Sequence, residues 1–329
     1  MAIVGVERLT YGVADLAVAT RFFEDFGLVI EKTSGDAASF VLPEGSRIRL
    51  LPLAHPSLPQ GSRVSGCGVH EVIWGVDSAE ALESLVDGLA PELEVSRAED
   101  GIARFVPAFG VPMGLRVFAK KPVICAPDPV NAPGHIRRLN QHRKWRLRAR
   151  PKAIAHVVFA VPDFDTAYRF MIDKLNFRLT DAQRGFGIYL RADGANNHHN
   201  FLLLNANAPL PDMDGTTKFH HANFAVEDLD ELMVGANYMV RKGWEASHFG
   251  LGRHRIDSAL FYYLPCPAGG EAEYGADSDC VDDGWVPRDW DHPLFGFAHH
   301  VHNLPPFLIE EPVWHFNFLT QQSPEAVRP

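Results

Sequence analysis

Three residues in the second half of the chain, His156, His221 and Glu273, are of the types that hold a metal ion. Two imidazoles and one carboxylate on one face of a metal, with the other positions open, form the arrangement that holds non-haem Fe(II) for oxygen chemistry. Each of the three residues lies in a short segment with the composition of a β-strand. We therefore predict that three strands bring these side chains to one point in the folded chain.

A repeat with a spacing of about 150 residues runs through the chain, and it predicts the elements that position the three residues. Each half reads as a strand, a helix and further strands, twice over. Asp163 or Asp165 is a candidate N-cap of one helix, and Gly243 is a candidate stop of another. The matching segments are 13–23 with 161–171, 72–85 with 222–235, and 112–118 with 267–273.

The repeat also provides an internal control for the metal site. At the matching positions of the first half, the sequence has Arg8, Glu71 and Phe118. Arginine has no acceptor and phenylalanine has no lone pair, so these three residues cannot form a metal site. We expect only the second half to bind a metal, and we expect Arg8 and Glu71 to form a buried ion pair.

The segment 252–275, with the sequence GRHRIDSALFYYLPCPAGGEAEYG, resembles the signature of the type I extradiol ring-cleaving dioxygenases of the vicinal oxygen chelate (glyoxalase/bleomycin resistance/dioxygenase) superfamily. Segments 155–163 and 221–230 resemble the strands that carry the first two metal ligands of that family. The pair His198–His199 lies where the family carries its acid–base histidine. The residues that match the signature are His254, Tyr263, Pro267, Gly269, Glu273, Tyr274 and Gly275.

The resemblance implies a metal, a reaction and a substrate class. The metal is Fe(II), with Mn(II) as an alternative, held by His156, His221 and Glu273. The reaction is extradiol (meta) cleavage of a catecholic ring by dioxygen, in the catabolism of aromatic compounds. Four apolar or aromatic residues near the expected pocket favour a bulky diol of the biphenyl or fused-ring type, namely Phe186, Ile188, Tyr189 and Phe201.

The resemblance also implies roles for residues that do not bind the metal. His199 would accept a substrate proton and later return it, because an imidazole titrates near neutral pH. His254 and Tyr263 would donate hydrogen bonds to the substrate oxygens. Asp257 would either orient a neighbouring histidine or act as a turn residue.

His220 competes with His221 for the place of the second ligand. Neighbouring residues of a strand point to opposite faces, so we expect only one of the two to reach the metal. The match of the following residues, Ala-Asn-Phe-Ala-Val, to the family favours His221.

The implied fold class is α+β, with two tandem vicinal oxygen chelate modules. Each module would be a pair of βαβββ units that form a half-open barrel. We place the N-terminal module without metal at 1–120, a linker at 121–151, the catalytic metal-binding module at 152–284 and a C-terminal extension at 285–329.

Two other functions remain open. The first is a metal-dependent isomerase or lyase of the same superfamily that uses Mn(II), Zn(II) or Ni(II) without dioxygen. The second is a protein that binds an aromatic ligand without catalysis. The retained His199, His254 and Tyr263 argue against the first, and the complete metal triad argues against the second.

Composition excludes several classes of partner and location. The net charge of −10 argues against nucleic acid, and no apolar run approaches the roughly 20 residues that span a bilayer. Mean hydropathy of −0.10, with 46% hydrophobic residues, predicts a globular core. The start lacks a secretory signal and the four cysteines form no close pair, so we expect a cytoplasmic protein. We also expect a homo-oligomer, as family members commonly are.

Two segments outside the repeat contain suggestive residues. Residues 137–152 include eight Arg or Lys, and we interpret them as a linker helix whose charges pair with an acidic body. In the extension, we interpret His299, His300 and His302 as surface or pocket-edge histidines. Three tryptophans could cover the mouth of the pocket or pack the extension down: Trp285, Trp290 and Trp314.

Overall fold

The computed structural model describes residues 2–208, 213–291, 297–306 and 316–319. In these ranges the chain forms two β-sheets with four α-helices packed against them. The helices are α1 (Leu16–Phe26), α2 (Ala79–Leu89), α3 (Phe164–Leu175) and α4 (Leu229–Arg241).

The first sheet contains the strands of the first half. They are β1 (Ile3–Val13), β2 (Val29–Thr33), β3 (Ala38–Val41), β4 (Arg47–Pro52), β5 (Gly68–Val76), β6 (Ser96–Arg97), β7 (Ala103–Phe105) and β8 (Met113–Val117). Their order in the sheet is β2-β3-β4-β1-β5-β8-β7-β6. The chain therefore runs through two βαβββ units, which meet where β1 pairs with β5.

The second sheet repeats this plan and adds three strands. Its strands are β9 (Ala153–Val161), β10 (Arg178–Gln183), β11 (Gly187–Arg191), β12 (Phe201–Asn205), β13 (Lys218–Ala225), β14 (Gly252–Arg253), β15 (Leu260–Pro265), β16 (Glu271–Ala276), β17 (Arg288–Trp290), β18 (His300–Val301) and β19 (Phe316–Phe318). Their order is β18-β14-β15-β16-β13-β9-β12-β11-β10-β17-β19. The predicted α+β class with paired βαβββ units is confirmed.

Side-chain caps fix where the helices begin. The carboxylate of Asp163 accepts a hydrogen bond from the backbone N–H of Thr166, which makes Asp163 the N-cap of α3. Asp228 caps α4 in the same way. Gly243 follows α4 with a φ of +87°, a conformation that costs glycine little and ends the helix. The predicted N-cap and helix stop are both confirmed.

One hydrophobic core joins the two halves of the described chain. At its centre the rings of Phe26 and Tyr274 stack, with centroids 4.0 Å apart and planes at 6°. The Tyr274 hydroxyl donates a 2.6 Å hydrogen bond to the carbonyl oxygen of Phe26. Trp74 packs edge-on against Phe177 and Phe201 in the same core. This shared core holds the sheet of the second half against that of the first.

The linker between the sheets contains no helix, so the predicted linker helix is wrong. Its only regular feature is one isolated β-bridge, between Ala132 and His135. Prolines recur in the first part of the linker. Proline lacks a backbone donor and its ring disfavours helical backbone at the preceding residue, so this part does not form a helix.

The basic residues of the linker nevertheless pair with the acidic body, as predicted. Arg143 lies 2.5 Å from Asp230, and Lys144 lies 3.0 Å from Glu227. The Arg146 guanidinium bridges Glu227 and Asp228 at 2.8 and 3.0 Å. These ion pairs attach the linker to the start of α4.

Strand register shows which first-half residues correspond to the metal ligands. In the second sheet His156 lies opposite Asn223, and in the first sheet Arg8 lies opposite Ile73. This register aligns Arg8 with His156, as the repeat predicts.

The third correspondence differs from the prediction. On the parallel pair β13 and β16, Asn223 lies opposite Glu273, whereas on β5 and β8, Ile73 lies opposite Gly114. The equivalent of Glu273 is therefore Gly114 and not Phe118. The repeat in the sequence matches Pro112 with Pro267, but these two prolines lie at different distances from the strands that follow them.

The first sheet has an ion-pair cluster where the second has its candidate ligands. Arg8 lies 3.4 Å from Glu71, which confirms the predicted pair, and Arg104 lies 2.9 Å from the other carboxylate oxygen. The Thr10 hydroxyl also donates a hydrogen bond of 3.1 Å to Glu71. Two guanidinium groups thus supply the positive charge beside this carboxylate.

A search of the described helices for a membrane span found no helix with the length and apolarity required.

Candidate metal centre and substrate cavity

Three neighbouring strands carry the three candidate ligands. His156 is on β9, His221 on β13 and Glu273 on β16, and β13 lies between the other two strands. Asn223 of the central strand lies opposite both His156 and Glu273. Because adjacent strands are about 4.8 Å apart, side chains on their common face converge.

The ligand atoms form a nearly equilateral triangle. The two Nε2 atoms of His156 and His221 are 3.2 Å apart. Oε2 of Glu273 lies 3.3 Å from Nε2 of His156 and 3.4 Å from Nε2 of His221. An ion about 2.1 Å from each of three donors at right angles would set those donors about 3 Å apart. The triangle therefore fits a metal ion on one face.

The carboxylate of Glu273 is buried without a hydrogen-bond donor at normal distance among the described residues. Its side chain has no exposed surface, and neither carboxylate oxygen accepts a hydrogen bond from the described residues. Burial raises the pKa of Glu273, but His156 and His254 lower it further, so its pKa lies well below the usual range. A buried, charged and unsatisfied carboxylate is costly unless a cation binds to it.

A β-bulge decides how the two adjacent histidines of β13 are placed. The register of β13 against β9 shifts between Phe219 and His221, so His220 is the extra residue. Both histidines line the same cavity, and their Nδ1 atoms are 2.7 Å apart. The expectation that they lie on opposite faces is wrong, because a bulge interrupts strand alternation. His221 is the one whose Nε2 completes the triangle.

His199 lies directly against the first ligand. Its ring stacks on that of His156, with centroids 4.1 Å apart and planes at 26°. Burial and the neighbouring histidines hold the pKa of His199 well below its usual value, so the ring is neutral at pH 7. The Asp257 carboxylate is 3.9 Å from Nδ1 of His199, too far for a hydrogen bond.

His254 and Tyr263 lie together on the other side of the triangle. Nε2 of His254 is 3.2 Å from the Tyr263 hydroxyl and 3.8 Å from Oε1 of Glu273. Burial lowers the pKa of His254, but its contact with Glu273 and the charge of Asp257 outweigh burial, so the pKa is raised. Nδ1 of His254 is hydrogen-bonded to the carbonyl oxygen of Phe297, from the extension.

A cavity of about 250 Å³ opens from the triangle and is mostly apolar. Among the described residues, no lysine or arginine lines it. Glu271 is a further acid in its wall, and burial raises the pKa of that carboxyl to about 7. The apolar wall consists of Phe186, Leu202, Leu204, Met213, Phe249, Ile256 and Phe297.

Comparisons with known proteins agree with this geometry. Residues 153–262 match the model of the Glyoxalase/Bleomycin resistance protein/Dioxygenase superfamily. Metapyrocatechase 2 of Cupriavidus necator is 26% identical over 298 residues, which cover 88% of this chain and 86% of the relative. Biphenyl-2,3-diol 1,2-dioxygenase of Paraburkholderia xenovorans (strain LB400) is 32% identical over 152 residues, which cover 43% of this chain and 48% of the relative.

Over residues 153–262 the chain is thus similar to this superfamily. With relatives of this kind, it is an enzyme of the extradiol dioxygenase type. The fold itself also occurs in the Mn(II)-bound glyoxalase of Novosphingobium aromaticivorans, with a TM-score of 0.70, 19% identity, and coverage of 95% of this chain and 96% of that one.

Some residues of this chain lie where the sequence predicts, and others do not. Phe186 and Tyr189 line the cavity, whereas Ile188 and Phe201 are buried in the core. The histidines at 299, 300 and 302 are exposed, as interpreted from the sequence.

The extension packs against the catalytic sheet. Trp285 donates a hydrogen bond of 2.9 Å to the carbonyl oxygen of Thr180, and Trp290 is 1% exposed in a second apolar cluster. Trp314 lies outside the described residues. Neither of these two tryptophans lines the cavity; among the described residues of the extension, Phe297 does so.

Sequence reasoning missed three residues behind the cavity, namely Asp181, His198 and Arg288. His198 and Asp181 are fully buried, and Nε2 of His198 lies 2.6 Å from Oδ2 of Asp181. Arg288 of the extension lies 2.6 Å from the same oxygen. The adjacent pair His198–His199 is the only signal in the sequence for this cluster, because its other members are distant along the chain.

Proposed function

We propose that this enzyme cleaves a catecholic ring in the extradiol position, using dioxygen and Fe(II), with Mn(II) as the alternative metal. The metal would be held by His156, His221 and Glu273. The observation that carries the proposal is the 3.2–3.4 Å triangle of their ligand atoms around an otherwise unsatisfied carboxylate. When bound, the metal supplies positive charge that favours the ionised catechol, and open positions where the substrate and dioxygen meet.

In this proposal, His199 takes the second proton of the catechol. It lines the cavity beside His156, and its lowered pKa keeps it neutral and able to accept a proton. When the ring is cleaved, the same imidazole can return that proton to an oxygen of the product, which retains both atoms of dioxygen.

His254 and Tyr263 are placed to hold the charge that develops on the substrate oxygens. The raised pKa of His254 favours its protonated form, in which Nε2 donates a hydrogen bond. The Tyr263 hydroxyl keeps its proton, because burial raises its pKa well above the usual value, so it also donates. Two donors in a cavity sheltered from water stabilise an anionic oxygen more than water-exposed donors do.

The cavity wall supports a bulky, uncharged diol as the substrate. Its lining is largely apolar, and the absence of a described lysine or arginine leaves a carboxylated catechol without a counterion. When it is ionised, the carboxylate of Glu271 in the wall would repel the carboxylate of such a substrate. A relative that matches over 48% of its length is named for biphenyl-2,3-diol.

Anaerobic reconstitution with Fe(II) tests the proposal directly. The protein is given oxygen and a panel of catechol, biphenyl-2,3-diol, a fused-ring diol and a carboxylated catechol, while the yellow ring-fission product and oxygen uptake are followed. We expect turnover of the aryl diol, little turnover of the carboxylated catechol, and none in the His156→Ala protein. His248→Ala, a change at a 73% exposed side chain, is the matched control.

One result would contradict the proposal. Tight metal binding without oxygen uptake on any diol would favour the oxygen-independent isomerase or lyase, or the ligand-binding protein. Higher activity with Mn(II) than with Fe(II) would support the alternative metal for the same reaction.

A further inference from the structure

A buried chain of hydrogen bonds leads from His199 to the C-terminal extension. Nδ1 of His199 lies 3.2 Å from Nδ1 of His198, and Nε2 of His198 lies 2.6 Å from Oδ2 of Asp181. Arg288 contacts the two oxygens of Asp181 through Nε at 2.8 Å and Nη2 at 2.6 Å. Its backbone N–H donates a third hydrogen bond of 3.1 Å to Asp181. His198, His199 and Asp181 are all at least 95% buried.

The charges in this chain determine which nitrogen atoms carry hydrogen. Asp181 accepts from three groups of Arg288 and can only accept from His198, so Nε2 of His198 carries a proton. With that proton on Nε2, the singly protonated tautomer of His198 presents Nδ1 as an acceptor. Nδ1 of His199 must then donate to it, and Nε2 of His199 is left with a lone pair.

We propose that Asp181 and His198 are positioning residues that fix the tautomer of His199, and that Arg288 of the extension completes them. The lone pair on Nε2 is the one with which His199 accepts the proton of the substrate. The inference rests on the role of His199 in the proposed function. It assigns to residues 285–291 a part in catalysis, in addition to their structural part at the edge of the second sheet.

Asp257 is the other acid near His199, and its contacts exclude it from this role. Its Oδ2 is 3.9 Å from Nδ1 of His199. Its two oxygens accept hydrogen bonds from the backbone N–H of Ala259 at 3.2 Å and from the Ser278 hydroxyl at 3.0 Å. Asp257 therefore shapes the turn, which was the second of its two interpretations from sequence.

The change Asp181→Asn tests the proposal, because an amide can donate to Nε2 of His198 and reverse both following hydrogen bonds. We expect kcat to fall about 10²-fold or more, with KM and metal content close to the wild-type values. Asp289→Asn is the matched control, since Asp289 is 3% exposed and pairs with Arg184 but does not reach His198. An unchanged kcat in Asp181→Asn would overturn the proposal.

A second readout does not depend on activity. Protein labelled with ¹⁵N in its histidine rings and loaded with diamagnetic Zn(II) gives separate NMR signals for protonated and unprotonated ring nitrogens. The signals of His199 are assigned by their loss in His199→Ala. We expect the proton on Nδ1 in the wild type and on Nε2 in Asp181→Asn. The same tautomer in both proteins would overturn the proposal, even if the wild type cleaves no catechol.

Two substitutions of His198 cover the case in which Asp181→Asn fails to fold. Asparagine places its amide near the former Nδ1 and keeps an acceptor for His199, whereas glutamine reaches only the former Nε2. We expect His198→Asn to retain more kcat than His198→Gln. Equal losses of kcat in the two variants would show that His198 only fills space, and would overturn the proposal.

The number of metal ions bound per chain tests a different interpretation of this cluster, namely a second metal site. His198, His199 and Asp257 lie close enough together to be ligands of a second ion. The proposal expects one Zn(II) per chain in the loaded protein, because Nδ1 of His198 accepts a hydrogen bond. Two Zn(II) ions per chain, with the second lost in His198→Gln, would overturn it.

Discussion

Glu273 combines two properties that oppose each other unless a cation is bound. It is fully buried, and its pKa is nonetheless held well below the usual range by the two facing histidines. In the metal-free protein its charge has no hydrogen-bond donor at normal distance among the described residues. The carboxylate is therefore held ionised, as a metal ligand must be, at the place where the triangle would hold a cation.

The substitution Glu273→Gln should abolish metal binding. A neutral amide of the same size also removes the attraction to the facing histidines that lowers the pKa of Glu273, so we expect the Tm of the metal-free variant to be no higher than that of the wild type. The rise in Tm that Fe(II) or Zn(II) gives the wild type should disappear. Calorimetry with and without metal checks both. Glu271→Gln, on the same strand and face, should keep the metal-dependent rise.

Glu71 has the corresponding place in the first sheet, where it pairs with Arg8 and Arg104. Replacing Glu71 by alanine leaves two partly buried guanidinium groups without this carboxylate. We expect the free energy of unfolding to fall by about 3 kcal/mol, with the iron content unchanged. Urea denaturation and metal analysis measure the two quantities. Loss of iron in this variant would show that the two sheets are coupled in a way that the contacts do not indicate.

At the scale of elements, register and bulges decide which side chains meet. The bulge in β13 turns both His220 and His221 toward the cavity. The parallel pairing of β17 with β10 places Arg288 directly opposite Asp181. Neither feature changes the order of the elements, but each changes the chemistry of the site.

The attachment of the linker to α4 should depend on pH. Burial raises the pKa of Glu227, but contacts with Lys144, Arg146 and the backbone N–H of Ala126 lower it to about 2. Its pKa in the folded state is thus below its unfolded value, so its contribution to stability is present above about pH 4.5 and is lost as pH falls toward 2.

Comparison with Glu227→Gln isolates this contribution. The difference in Tm between the wild type and the variant should be largest near neutral pH and should shrink as the pH is lowered from about 4.5 toward 2. A difference that stays constant over this range would contradict the assignment of the ion pairs to Glu227.

At the scale of the whole molecule, the two sheets share one core, with Phe26 stacked on Tyr274 across the halves. We therefore expect the metal-free protein to unfold in a single calorimetric transition, with equal calorimetric and van't Hoff enthalpies. Two separate transitions would indicate that the halves unfold independently. Tyr274→Phe, which removes the hydrogen bond to Phe26 alone, should lower the stability by about 1 kcal/mol and keep the single transition.

The division into modules, linker and extension is a proposal that the sheets support. The first sheet spans 3–117, and the strands of the second begin at 153. The extension supplies β17 and β19 at one edge of the catalytic sheet and β18 at the other. Its strands and Phe297 thus make it part of the catalytic module in structure. Homo-oligomerisation and a cytoplasmic location stay predictions, which light scattering and fractionation can test.

The sequence by itself determined the fold class and the candidate metal ligands, because both depend on local patterns. The repeat, the strand composition and the helix caps act within short segments, and they placed His156, His221 and Glu273 on three strands of one sheet. Two isolated residue types at matched repeat positions, Arg8 and Glu71, were enough to predict an ion pair.

Only the tertiary structure decided the register of β8, the bulge at His220 and the chain from His199 to Arg288. Each depends on pairing between segments that are distant in sequence, and Asp181 and Arg288 are separated by 107 positions. A shift of one residue in such a pairing turns every side chain to the other face, and local composition does not record it. The positions of the candidate ligands could therefore be predicted, whereas the hydrogen bonds that orient His199 had to be read from the folded chain.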